Sequence, residues 1–310
     1  MVENTEINEW RQIIMKWQQV IDEVLQEAQG EFGVAVTHLE SGETAGHQAD
    51  QLFQMASVFK IPIIVTLMRD VDAGKLRLDQ RVTLRYEERV PGSGVLQELD
   101  SGAALTVKDL AMLMTIVSDN YATDMLINLV GLENIEAHMR ELGLMNIYLP
   151  QTTWQLLNRC VGMEEPSPSP AGFAEFERRE ETGDYELLFD VGEPTTANNV
   201  ASPTDLNRLL TMVAKKEILS EASCDLILDI LRRQQYNSRL PLLLPEGTKV
   251  AHKTGTVNGV VNDAGIIYLP DGRGAIAITV LSRNVAEKQA AERTIAQVAK
   301  AVYDQAMGGV

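Results

Sequence analysis

Three short segments of this 310-residue chain place nucleophilic and cationic side chains at spacings that chemistry can use: Ser57-Val-Phe-Lys60, Ser118-Asp-Asn120 and Lys253-Thr-Gly255. On a helix, residues three apart share a face, so the Lys60 amine can approach the Ser57 hydroxyl. A serine hydroxyl is a weak nucleophile until a base takes its proton. Lysine becomes that base only when burial or neighbouring cations lower its pKa. The flank of Val58, Phe59, Ile61, Pro62, Ile63 and Ile64 supplies the burial. At the start of its helix, Ser57 also stands where free backbone N–H groups favour a developing anion. Pro62 falls in the early turns, where a missing donor matters least.

The elements that must position these residues can be read in outline. Ile7, Trp10, Ile13, Ile14, Trp17, Ile21, Val24 and Leu25 recur at helical spacing and predict an amphipathic first helix. Residues 33–39 read as a strand, with Glu40-Ser41-Gly42 turning out of it. From Met55 to Gly131 the pattern is mostly helical, interrupted by the turn at 89–94. Thr106 with Asp109 forms a helix start. Residues 122–143 predict one further helix. The stretch 160–199, acidic and rich in Pro, Ser and Gly, is long for a connection and reads as a mobile excursion or a lid. Order resumes at Ser202-Pro203-Thr204-Asp205, an N-cap followed by proline at the first helical position. A helix near 220–234, strands at 249–256, 263–269 and 274–282, and a helix from about 286 to 307 complete the chain.

Strands at both ends with helices between predict an α+β fold. One antiparallel sheet is built from both chain ends and flanked by the terminal helices. Residues 1–50 and 216–310 form this α/β lobe, and 51–215 an all-α lobe that includes the excursion.

Each motif alone says little, since a serine three residues before a lysine is common. Together, and in this order, they make the chain resemble the penicillin-recognising serine hydrolases, most closely the class A β-lactamases. The wording of MASVFKIPIIVTLM, VPGSGVLQELDSGAALTVKDLAMLMTIVSDNYATDMLI and AHKTGTVNGVVNDAGIIYLPDG extends the likeness over most of 30–158 and 198–290. The resemblance implies a β-lactamase/transpeptidase-like fold and a metal-free reaction without cofactor: acylation of Ser57 by a cyclic amide, then hydrolysis. It implies Lys60 as the activating base and Ser118 as the proton shuttle to the leaving group. Asn120 would hold the substrate amide and Lys60, and Lys253 and Thr254 would bind a substrate carboxylate. Gly255 would let the strand approach the ligand, and the Thr256 N–H would complete an oxyanion hole with that of Ser57.

The family also uses a glutamate, in a Glu-x-x-Leu-Asn pattern, to activate the water that releases the acyl group. The nearest match is Trp154-Gln-Leu-Leu-Asn158, which puts Trp154, or Gln155 with one residue deleted, in the acid's place. Glu186 in the excursion is the alternative acid. Two other readings follow from this gap: a penicillin-binding D,D-peptidase or esterase acting on a peptide or small ester, and a sensor that stays acylated.

The net charge of −17 argues against nucleic acid and anionic membrane as partners. The first thirty residues show no export-signal pattern, and no run of about 18 apolar residues predicts a span, so the expectation is a cytoplasmic protein. Cys160 and Cys224 have no metal or redox spacing and read as structural thiols. His252, beside Lys253 on an alternating strand, should point away from the cleft, and Asp263 should tie strands together.

Overall fold

The computed structural model describes residues 16–187 and 190–308. Helix α1 (16–26) leads into β1 (Glu31–His38) and β2 (Thr44–His47). Strand β3 (Phe53–Gln54) passes through a 3-10 turn, Ala56–Phe59, into α2 (Lys60–Asp72). Next come β4 (Arg81–Thr83), β5 (Ala104–Thr106), α3 (Val107–Ile116), α4 (Asn120–Val130), α5 (Leu132–Glu141) and β6 (Ile147–Tyr148). After α6 (Thr153–Cys160), α7 (Pro170–Thr182), β7 (Val200–Ala201), α8 (Pro203–Ala214) and α9 (Glu221–Leu231), the chain finishes with β8 (Val250–Val257), β9 (Val260–Tyr268), β10 (Ala275–Arg283) and α10 (Lys288–Ala306).

The main sheet is antiparallel in the order β2-β1-β10-β9-β8, so both chain ends build it and β8 forms one edge. Side-chain alternation splits it between two apolar cores. Val250, Val261, Ile267, Ile276, Ile278 and Val280 pack with Trp17, Ile21, Ile295 and Val302 of α1 and α10. Trp17 adds a hydrogen bond of 2.8 Å from its indole to Val302 O. Ala251, Ala264, Ile266, Ala277 and Leu281 face the helical side and join its core. The small side chains there let α8 lie close, with Asn207 bonded to Thr37 and to Ala35 O of β1.

Helix α2 is buried along almost its whole length and forms the axis of the helical lobe. The expected caps form: Thr106 and Asp109 exchange bonds in a capping box, and Ser202 accepts from Asp205 N with Pro203 at the first position. The expected helix 122–143 is two helices, because Gly131, at φ 86°, turns the chain between α4 and α5. The hairpin joining β8 and β9 is tighter than expected, with β9 beginning at Val260.

The excursion is not a structureless loop. It contains α7, whose Ser169 cap and Pro170 are an ordinary helix start hidden within the Pro/Ser run. Its Phe176 packs with Val161 and Met163 in a small separate cluster. Arg89 reaches over from the 86–99 segment and lies between the rings of Tyr86 and Phe173, 4.1 and 4.4 Å from their centres. Of the first-helix residues, Trp17, Ile21, Val24 and Leu25 pack as expected, whereas Ile7, Trp10, Ile13 and Ile14 lie outside the described residues. Among the described residues, no helix is long and apolar enough to cross a membrane.

Candidate active site

The turn carrying Ser57 is held from several sides. Asn262 of β9 donates to Gln54 O and Met55 O, Met55 N donates to Asn199 O, and Ala56 N donates to Gln54 Oε1. This scaffold keeps Ala56 at a positive φ of 44°, a conformation that costs roughly 1–3 kcal/mol in a non-glycine residue. Ser57 therefore sits on the 3-10 turn just before α2 rather than on the helix itself. Gly255 packs directly on that turn. A Cβ there would stand 2.6 Å from Met55 O and 3.0 Å from the nitrogens of Ser57 and Val58. Only a residue without a side chain lets β8 come so near.

Lys60 follows at the first residue of α2 and is fully buried. Its Nζ donates to Ser118 O at 2.8 Å, Asn120 Oδ1 at 2.9 Å and Ser118 Oγ at 3.1 Å; Ser57 Oγ is not among these acceptors. Burial pulls its pKa down to about 7, against the opposing pull of Asp119 and Asp124. Lys253, equally buried on β8, donates to Ser118 Oγ at 3.1 Å and Thr254 O at 2.7 Å. Burial and then the nearby Lys60 push its pKa well below the usual lysine range.

The Ser118 hydroxyl thus bridges two lysines. Its backbone is at φ 55°, the second strained non-glycine residue at the site. Asp119 explains how the turn is held: its carboxylate accepts from Ala122 N at the start of α4 and from Val95 N and Leu96 N of the facing segment. Gly94 leaves room for that carboxylate, since a Cβ there would overlap it. Ser93 closes the loop, donating to Ser118 O at 2.8 Å and Asn120 Oδ1 at 3.3 Å. Asn120 Nδ2 donates to Pro91 O, which leaves its Oδ1 as the acceptor facing Lys60.

A cleft of about 320 Å³ opens over this group, lined by Ser57, Ser93, Ser118, Thr254 and Thr256 and, on its far wall, Tyr236, Ser238, Arg239, Lys288 and Glu292. Sequence reasoning missed Arg239. Its guanidinium donates to Gly255 O, Asn262 O, Thr256 Oγ1 and Glu292, so all five N–H groups have acceptors. An isolated arginine in a loop gives no local pattern, and only the fold reveals its position. Asp119 stands inside one of the three motifs and Ser93 inside the turn at 89–94, yet the sequence assigns neither a role. A larger cavity of about 500 Å³ lies beyond Thr256 and Lys288, between α6–α7 and the β8–β9 hairpin, and does not contain Ser57.

The structure brings Ser57, Lys60, Ser118, Asn120, Lys253, Thr254, Gly255 and Thr256 together. It does not bring Glu186 with them: that residue is exposed on the excursion, and its carbonyl lies against Gly162. Trp154 is fully buried in the helical core, its indole donating to Glu165 O at 3.0 Å. Gln155 is engaged in the α6 capping box with Thr152. Glu292 is the one carboxylate among the described residues lining the cleft, and Arg239 holds it at 3.2 Å. His252 faces the α10 side of the sheet, paired with Asp263 at 2.9 Å, and Asp263 also accepts from Leu240 N.

The sequence profile of the beta-lactamase enzyme family matches residues 16–306. The chain belongs to that family. Beta-lactamase VEB-1 of Pseudomonas aeruginosa is 26% identical over 296 residues, covering 92% of this chain and 88% of the relative. The beta-lactamase of Streptomyces albus G is 25% identical, over 89% of this chain and 80% of its own. Among solved structures, a beta-lactamase from Sphaerobacter thermophilus superposes with a TM-score of 0.76 at 30% identity, covering 94% of this chain and 98% of the other. A point mutant of PBP-A, solved as an acyl-enzyme complex with penicillin G, superposes with a TM-score of 0.75 at 28% identity, over 93% and 95% of the two chains. The family's fold is accordingly the β-lactamase/transpeptidase-like one expected from the motifs.

Proposed function

We propose that this family member is a serine hydrolase of β-lactams in which Ser57 is acylated quickly and released slowly. The observation that carries the reading is the Ser118 hydroxyl held between Lys60 and Lys253 beside Ser57, on a cleft whose edge is the β8 strand. With a pKa near 7, the Lys60 amine is neutral often enough to take the Ser57 proton. The Ser57 oxygen then attacks the lactam carbonyl, and the N–H groups of Ser57 and Thr256 receive the oxyanion. As the C–N bond breaks, Ser118 passes a proton to the leaving nitrogen and is resupplied from the lysine network. Lys253, Thr254 and Thr256 bind the substrate carboxylate. Thr256 Oγ1 accepts from Arg239, which leaves its own proton free to donate into the cleft. The acyl-enzyme complex of the PBP-A mutant with penicillin G supports such an intermediate on this fold.

Hydrolysis of the ester needs a base for water. Trp154, where the family's sequence pattern has an acid, is buried in the helical core; Glu186 is exposed and does not line the cleft; and Glu292 is tied to Arg239. Lys60 is then the remaining base, and it acts in both half-reactions. Stopped-flow mixing with a chromogenic cephalosporin tests this. The expected trace is a burst equal to the enzyme concentration followed by a slow linear phase. Rapid turnover without a burst would refute slow release, and no reaction at all would refute the substrate assignment.

A further inference from the structure

The last turn of α3 leads directly into Ser118, and its free carbonyls are met one by one from the segment after α9. Gln234 Nε2 donates to Thr115 O at 3.0 Å, Gln235 N to Ile116 O at 3.0 Å and the Tyr236 hydroxyl to Val117 O at 3.3 Å. Three consecutive residues thus satisfy three consecutive acceptors that a helix end leaves without partners. Gln234 is buried and holds its own turn together, its Oε1 accepting from Gln235 N at 2.9 Å and Tyr236 N at 3.1 Å. Tyr236 is therefore fixed at both ends: its backbone by Gln234, its hydroxyl by the residue before Ser118. The ring between these ends is left to the cleft. Tyr236 is 45% exposed, and every other described residue lining the cleft is a serine, a threonine or a charged residue. Ligand pockets are ordinarily lined mostly by apolar side chains; here that contact is concentrated in one aromatic ring.

We propose that Tyr236 is a specificity-determining residue: its ring is the wall against which the leaving-group portion of the substrate lies, and it favours β-lactams whose leaving group carries a flat, unsaturated substituent. This deepens the serine-hydrolase reading and rests on Ser118 delivering the proton to the leaving nitrogen. A ring tethered to the carbonyl one residue before that donor stands beside the nitrogen's side of the cleft. The substrate carboxylate, drawn to Lys253 and Thr254, belongs to the same leaving portion. That portion is then held by its charge on β8 and by its flat face on Tyr236. An aryl or vinyl substituent on it gains a contact with the ring, whereas a methyl group gains little.

The test reads binding apart from the reaction. In the Ser57→Ala protein, calorimetry gives dissociation constants for two cephalosporins with the same acyl side chain, one carrying an aryl-vinyl group on its six-membered ring and the other a methyl. The ratio of the two constants is measured again after adding Tyr236→Phe or Tyr236→Leu. The aryl-vinyl compound should bind the Ser57→Ala protein about fivefold more tightly, the usual worth of one aromatic contact. Tyr236→Phe keeps the ring and should retain most of that preference. Tyr236→Leu keeps apolar bulk without the ring, and should lose the preference while binding the methyl compound within about twofold of before. If Tyr236→Leu does not fold, Tyr236→Met replaces it with the same expectation. Equal binding of the two compounds before the Tyr236 change, or a preference that survives Tyr236→Leu, would overturn the proposal. So would a preference already lost in Tyr236→Phe, which would assign the selection to the hydroxyl, or failure of both compounds to bind. Acylation of the wild-type protein by the methyl compound is followed separately by mass spectrometry; its absence would count against the reaction assigned to Ser57, not against the ratio that tests the Tyr236 wall.

Discussion

Gly255→Ala is the sharpest structural perturbation of the site, because it adds one methyl and no charge. That methyl would stand 2.6 Å from Met55 O and 3.0 Å from Ser57 N. Ordinary contact begins near 3.4 Å, so β8 and the Ser57 turn must part by about 0.8 Å. An oxyanion donor placed at about 2.9 Å would then lie near 3.7 Å, beyond useful hydrogen bonding. Loss of one such donor slows acylation by about 10²–10³-fold, whereas overpacking of this kind lowers stability by about 1–3 kcal/mol. The assay is stopped-flow acylation by a chromogenic cephalosporin at several concentrations, so that the binding constant and the bond-forming rate are obtained separately. The rate should fall while binding changes little. A folded Gly255→Ala protein that acylates within about threefold of the wild type would refute the placement of the oxyanion hole between Ser57 and Thr256.

Other outcomes follow from the same geometry. Acylation by the wild type should rise with pH through a midpoint near 7, because Lys60 must be neutral to accept the Ser57 proton; Lys60→Arg should abolish that limb and acylation with it. Arg239→Ala strips the acceptors Gly255 O and Asn262 O of their donor and leaves Glu292 only Lys288, at 3.9 Å, with an expected loss of about 3–5 kcal/mol in urea unfolding that Arg239→Lys recovers only in part. Burial holds the His138 imidazole down to about 4, against an ordinary 6.5. The neutral form is therefore favoured in the fold, and its stabilisation is complete above pH 6.5 and lost as pH falls toward 4. His138→Gln should flatten that part of the stability profile, and an unchanged slope would contradict the assignment. The Cys160 thiol is pushed up to about 12, by burial first and Glu180 second, so iodoacetamide should modify it at least about a hundredfold more slowly than a free thiol at neutral pH.

What the residues disclose before folding depends on how far apart the interacting groups lie in sequence. Ser57 and Lys60 are separated by one turn, and the caps at Thr106 and Ser202 act over three residues, so both are legible in the sequence. The convergence of Ser118 and Lys253 is legible only through the order of the motifs, because no local pattern says that 135 residues of chain close on one hydroxyl. Arg239 gives no signal, since its partners come from β8, β9 and α10. Helix α7 is obscured by the Pro and Ser residues that cap it, which read as a loop when weighed as composition. Gly131 lies inside a continuous helical pattern, where its positive φ breaks the chain in two. That Trp154 stands where the family's pattern has an acid is legible in the sequence; that its side chain is buried in the helical core is not.

The central claim is that Ser57 carries the acyl group and that release is slow. Intact-protein mass spectrometry after mixing with one equivalent of penicillin G, followed by peptide mapping, measures both. The expected result is a gain of one penicillin mass within seconds, mapped to the peptide containing Ser57, decaying over a much longer time and absent in Ser57→Ala. An adduct on another residue, or an adduct of unchanged yield in Ser57→Ala, would contradict the account.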